Sequence, residues 1–205
     1  GKTVFGVLMM SHMAEKSILA EEAKKMQDYG AEGVVLMDSS GSYLPGDVKE
    51  KVTYLKENLQ IPIGFHAHNN LGMGIANSLA AVEAGALMID GCSKGFGAGA
   101  GNAQLEVLIS VLDRMEYDTG IDLYKMLDAS DLAERELIKK LPVISSASIV
   151  SGLSGVFSGY LVPVNRIAKE YNIDPRDLFF ELGRQKVVAG QEDIIVEIAK
   201  NLSRL

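Results

Sequence analysis

Apolar residues gather in four short runs over the first ninety positions, at residues 3–10, 33–37, 61–65 and 86–89. Each run gives way to a longer stretch in which apolar residues recur at three- and four-residue intervals, over 14–29, 45–59, 71–84 and 102–114. Short apolar runs bounded by turn residues read as buried strands, and the longer periodic stretches read as amphipathic helices. Tyr29-Gly30 and Ala84-Gly85 are helix stops ahead of the next strand, and Pro62 sits where a strand tolerates a missing N–H. Strand starts recur about every 25 to 30 residues, the length of one βα unit with short loops. That regularity predicts an α/β chain built as half of a (β/α)8 TIM barrel. Four units alone leave two unpaired strand edges and an uncovered interior face. With no initiator Met and a strand entered at once, the chain is expected to be a piece of something longer.

The strand pattern stops near Gly120, and residues 121–205 read as helices separated by Leu141-Pro142, Ser145-Ser146-Ala147-Ser148 and Asp174-Pro175. Two units are therefore expected, a barrel part at 1–120 and a helical part at 121–205. Asp174 as cap and Pro175 in the first turn start a helix that reaches Val187. In a last helix over 192–202, Ile194, Ile195, Ile198 and Leu202 form one apolar face.

The chemistry begins where the third run ends, at His66-Ala67-His68. Strand side chains repeat every two residues, so both imidazoles project to one face, close enough to share an ion. Imidazole suits Mn, Fe, Co and Zn, but two nitrogens leave a coordination shell open for a carboxylate or water. The C-terminal end of a strand, followed by Asn69-Asn70, is where parallel α/β folds place their chemistry. His12 reads first as a satisfied polar group. Asp38, in Met37-Asp38-Ser39-Ser40-Gly41, either binds metal or ligand from the same rim or caps its own loop, since Asp-Ser-Ser-Gly is good turn chemistry. Asp90 poses the same question more weakly. The segment Gly95-Phe96-Gly97-Ala98-Gly99-Ala100-Gly101-Asn102 lacks the closing Gly-Lys-Ser/Thr of a P-loop and the dinucleotide spacing. It reads as a tight βα connection at the mouth of a site, with Asn102 capping the next helix.

Composition narrows the setting. The 205 residues are 47% hydrophobic and 23% charged, with a formal net charge of −7, which is ordinary for a globular protein. Without a basic stripe, nucleic acid and anionic membranes are not expected as main partners. The single cysteine, Cys92, excludes an internal disulfide, suits a cytoplasmic setting and reads as a buried, inert thiol. No run is long enough for a membrane span, and the first residues lack a signal peptide's anatomy.

Three segments, HAHNNLG at 66–72, GFGAGAGNAQLEV at 95–107 and LMMSHM at 8–13, together resemble the metal-dependent pyruvate aldolases that cleave 4-hydroxy-2-oxovalerate. The likeness continues through Asp122-Leu123-Tyr124 and Gly190-Gln191-Glu192-Asp193 and spans nearly the whole chain. His-x-His and Gly-Asn-Ala alone are shared with isopropylmalate synthases and 3-hydroxy-3-methylglutaryl-CoA lyases. The resemblance implies the last four strands of the barrel followed by an α-helical communication domain. It implies a divalent ion, usually Mn, held by His66, His68 and an Asp that lies outside this sequence with a neighbouring Arg and a His base. It further implies retro-aldol cleavage to pyruvate and a short aldehyde in the meta-cleavage catabolism of aromatic compounds. An acylating aldehyde dehydrogenase is the implied partner, docked on the communication domain, and the chain is expected to form a homo-oligomer. Ser39 or Asp38 would contact substrate, and Asn70 would orient a ligand or bond substrate. One departure touches mechanism: the family pattern has Tyr where this chain has Phe157, which carries no proton to give, and Tyr160 would offer a substitute hydroxyl if the segment were helical. Two rival readings share the sequence, an acyl-CoA condensing or cleaving enzyme and a non-catalytic subunit that binds through its helical tail.

Overall fold

The computed structural model describes residues 1–204. Four strands, β1 (Phe5–Leu8), β2 (Gly33–Asp38), β3 (Ile63–Ala67) and β4 (Met88–Ile89), form one parallel sheet in chain order. Each is followed by a helix: α1 (Lys16–Asp28), α2 (Pro45–Asn58), α3 (Gly74–Glu83) and α4 (Leu105–Arg114). Burial alternates along the strands. Val34, Leu36, Ile63, Phe65 and Ala67 are buried and pack into one core with Val48, Val52 and Leu55 of α2. The opposite face is open, and Phe5 and Val7 are 47% and 41% exposed on it. Helices on a single face separate this sheet from a doubly wound one, where both faces are covered; this is the layout of consecutive units of a (β/α)8 barrel.

Several expected boundaries move, each for a local reason. The first strand ends at Leu8 because Met10 takes a left-handed conformation (φ 52°) that opens a 3-10 turn over Ser11–Met13. α3 starts at Gly74, later than residue 71, because Asn69 Oδ1 accepts the Gly74 N–H at 3.0 Å and holds 69–73 as a turn. α4 starts at Leu105 because Asn102 and Ala103 pair back onto the end of β3.

Beyond α4 the chain is helical: α5 (Leu123–Glu136), α6 (Ser146–Leu153), α7 (Leu161–Tyr171), α8 (Pro175–Arg184) and α9 (Glu192–Leu202). Asp122 caps α5, which packs on α4 and on the 3-10 turn Ser93–Gly95; there Lys94 pairs with Asp131 and Glu134. The serine stretch at 145–148, expected to separate helices, starts one instead. Ser145 and Ser148 form a reciprocal capping box at the head of α6. α6 to α9 enclose a second core of Val156, Tyr160, Val164, Leu178, Phe179, Leu182 and Ile195. Asp174 caps α8, with Pro175 in its first turn, although the helix ends at Arg184 before Val187. On α9, Ile195 and Ile198 are buried and Ile194 and Leu202 pack beside them, as the apolar spacing requires. Leu205, the end of the expected helical unit, lies outside the described residues. Among the described residues no helix is long and apolar enough to cross a membrane.

Candidate functional site

His66 lies on β3 in register with Met37 of β2, on the sheet face away from the helices. The imidazoles of His66 and His68 are neighbours, with ring centroids 5.2 Å apart and planes at 69°. Asp90, just past β4, faces His66 Nδ1 in a hydrogen bond, which leaves the other ring nitrogen of His66 free to accept a ligand. A carboxylate on one nitrogen fixes ring orientation and raises the donor strength of the other. His68 is 7% exposed, and its Nδ1 is buried with no partner. Burial, reinforced by repulsion from His66, lowers the His68 imidazole to about 4, so it is neutral at physiological pH, the form a metal ligand needs. These two donors suit a divalent ion but do not close its shell. Among the described residues no three His, Cys, Asp or Glu side chains are arranged to hold one ion between them. Asp90→Asn in the full-length protein is expected to weaken divalent-ion affinity by about 10- to 100-fold, read by titration calorimetry.

Asp38 belongs to the other face of β2. It is fully buried, accepting the Ser42 N–H at 3.0 Å, the Tyr43 N–H at 3.1 Å and the Ser40 hydroxyl at 3.4 Å. It closes its own loop, the turn-forming alternative of the two that its sequence left open. Burial lifts its carboxyl from 3.8 to about 6, against the opposing pull of those hydrogen bonds. A folded value above the unfolded one means that, between the two, folded protein keeps a proton that unfolded chain has released. Stability from this group is therefore fullest below about pH 4 and declines as pH rises to about 6. Urea midpoints measured across that window should fall with pH in the wild type relative to Asp38→Asn, which cannot titrate.

Ser39 is buried, and its Oγ accepts the Met10 N–H at 2.9 Å while its carbonyl accepts the Ser158 N–H. Asn70 is fully buried, and its amide is spent on Ser40 O, Ser158 Oγ and the Ala100 N–H. Both residues bond protein partners that hold the rim together. Asn102 does not cap α4; its amide nitrogen donates to Phe96 O and Cys92 Sγ, and Gln104 occupies the cap position. Cys92 is half-buried, more accessible than its apolar neighbours suggested. Within the glycine-rich loop the Gly101 N–H bonds Ala98 O, the Asn102 N–H bonds Gly95 O and the Phe96 N–H bonds Ser93 O, while the Ala100 N–H is taken by Asn70, as a tight βα connection requires.

Phe157 precedes the 3-10 turn Ser158–Tyr160 and Tyr160 ends it, their rings edge-on with centroids 5.7 Å apart. The Tyr160 hydroxyl donates to Val188 O at 2.7 Å and accepts the Gln191 N–H at 2.9 Å. It is committed to the helical core and offers no substitute for the hydroxyl absent at Phe157. His12 is satisfied on one side only: its Nε2 meets Gly155 O at 2.7 Å and its Nδ1 has no partner. Burial lowers its pKa, which keeps the ring neutral and donating to the helical unit's carbonyl. Sequence reasoning missed this bridge, since nothing local in Met9-Met10-Ser11-His12-Met13 points to a partner 143 residues away.

Parallel βα units with paired histidines at the strand C-terminal rim place the chain among the (β/α)8-barrel proteins that gather polar chemistry at that end. The HMGL-like family matches residues 1–133, and the DmpG-like communication domain matches residues 142–204. The chain belongs to the HMGL-like family, and its fold is the C-terminal half of a TIM barrel followed by an α-helical communication domain. Curated relatives include a 4-hydroxy-2-oxovalerate aldolase of Spirochaeta aurantia, 66% identical over 98% of this chain and 59% of the relative. Another, from Pectobacterium atrosepticum, carries the same name and is 58% identical over 100% of this chain and 60% of its own length. The chain thus spans about three fifths of the length of these relatives. Among solved structures, the carboxyl transferase domain of Rhizobium etli pyruvate carboxylase with pyruvate shares the fold at a TM-score of 0.77 and 19% identity, over 98% of this chain and 37% of that one.

Proposed function

We propose that the full-length protein is a divalent-metal-dependent aldolase that cleaves 4-hydroxy-2-oxovalerate-type acids to pyruvate and a short aldehyde. The observation that carries this reading is the His66–His68 pair on the open sheet face, with Asp90 on one ring and an unpartnered buried nitrogen on the other. His66 and His68 would hold the ion, Mn by family resemblance, with a third protein ligand supplied from outside these residues. When bound, the ion would supply Lewis acidity to the keto group of a 2-oxo acid. Asp90 orients His66, and burial keeps His68 unprotonated. The glycine loop is laced to the end of β3, beside the histidine pair. The helical part, drawn from about residue 121 onward, would dock an acylating aldehyde dehydrogenase and support a homo-oligomer. A cytoplasmic place in aromatic catabolism agrees with this chemistry.

The test is pyruvate release from 4-hydroxy-2-oxovalerate by the full-length protein with added Mn2+. If no pyruvate appears and acetyl-CoA is instead condensed onto a 2-oxo acid, the protein belongs with the synthases. Phe157→Tyr probes the departure from the family pattern. The ring is anchored edge-on against Tyr160, so it serves as an apolar wall, and turnover should stay within about twofold of wild type. A many-fold rise with unchanged complex formation would mean that a missing hydroxyl limits the reaction.

A further inference from the structure

Asn70 lies two residues past His68 and joins three segments that are far apart in sequence. Its Oδ1 accepts the Ala100 N–H at 2.8 Å in the glycine loop, and its amide nitrogen donates to Ser40 O at 2.8 Å and to Ser158 Oγ at 3.0 Å in the helical unit. Ser158 is itself fully buried and donates its N–H to Ser39 O at 2.9 Å. Gly99 closes the joint: at φ +67° its missing Cβ leaves the space that Asn70 Oδ1 and Ser158 Cβ occupy. From there the loop runs to Gly101 and Ala103, which are laced to the end of β3 by Asn69 N–H to Gly101 O at 2.8 Å and Ala103 N–H to Ala67 O at 2.9 Å.

A buried amide is stable only while all its partners are in place, because any one withdrawn leaves an unsatisfied donor or acceptor. Asn70 therefore registers whether the helical unit is seated on the rim. We propose that Asn70 and Ser158 are a positioning pair through which the seated helical unit holds the glycine loop against His68 and so sets the divalent-ion affinity of the His66–His68 pair. The inference rests on the metal reading given above, and its test separates the two.

The experiment compares full-length wild type with Ser158→Ala and Ser151→Ala. Ser151 is the control: it is equally buried, but its hydroxyl donates to Val156 O within the helical unit and does not touch the joint. Hydrogen exchange at the Ala100 amide reads the loop without metal, and electron paramagnetic resonance of free Mn2+ reads affinity. Ser158→Ala should speed Ala100 exchange and weaken Mn2+ binding by about fivefold, the scale of one lost buried hydrogen bond. Ser151→Ala should move neither. The proposal is overturned if Ser158→Ala binds Mn2+ like wild type, or if Ser151→Ala shifts both readouts equally, which would mark general loosening. Wild type that binds no Mn2+ while Ser158→Ala still speeds Ala100 exchange would remove the metal reading, and the coupling with it, and leave a mechanical joint.

Discussion

Full-length protein in which His66 and His68 are both replaced by alanine should purify without divalent metal and lose pyruvate release by about three orders of magnitude. The size follows from the chemistry: an ion that polarises a keto oxygen contributes several kcal/mol to the transition state, and about 4 kcal/mol is a thousandfold in rate. The fold should survive, because neither imidazole belongs to the apolar core that packs the helices on the sheet. Removing His68 also removes an unpartnered buried nitrogen, which costs the fold little. Elemental analysis beside circular dichroism separates a lost ion from a lost fold. Metal content equal to wild type in the double variant would place the ion elsewhere.

Asp38→Ala should act in the opposite manner, damaging the fold and sparing the chemistry. Three donors converge on that carboxylate, the Ser42 and Tyr43 N–H groups and the Ser40 hydroxyl. Alanine leaves them without an acceptor in a buried loop. At about 1 to 3 kcal/mol for each orphaned group, with partial relaxation, the loss should reach about 3 kcal/mol. The same loop carries Tyr43, whose hydroxyl donates to Ser11 Oγ at 2.9 Å, and Ser11 in turn donates to Met37 O at 2.7 Å, so the damage should spread to the β1 rim. Urea unfolding should show a large fall in midpoint with KM for substrate unchanged in the protein that remains folded. A normal midpoint with a raised KM would return Asp38 to the role of substrate contact.

The strands and helices of the barrel half were legible because each is specified locally. Val34, Leu36, Ile63 and Phe65 repeat every second residue toward the helices, and glycines at 30 and 85 mark the returns. The rim was legible only in part. His66 and His68 share a face by strand geometry alone, whereas the roles of Asn70, Ser39 and His12 depend on Ser158, Met10 and Gly155, segments brought together only by folding. The start of α4 shows the same limit in the other direction. Asn102 is a good local cap, yet the pairing of 101–103 with 67–69 claims it first. Local propensity proposes an element, and long-range pairing decides where it begins.

On the proposed reading, His66 and His68 together would hold a divalent ion at the barrel rim. Anomalous diffraction from crystals of the full-length protein grown with Mn2+ tests it most directly. One strong peak is expected at roughly 2 Å from a ring nitrogen of each histidine, with Asp90 still bonded to His66 Nδ1. A peak that touches neither ring, or no peak at saturating Mn2+, would contradict it.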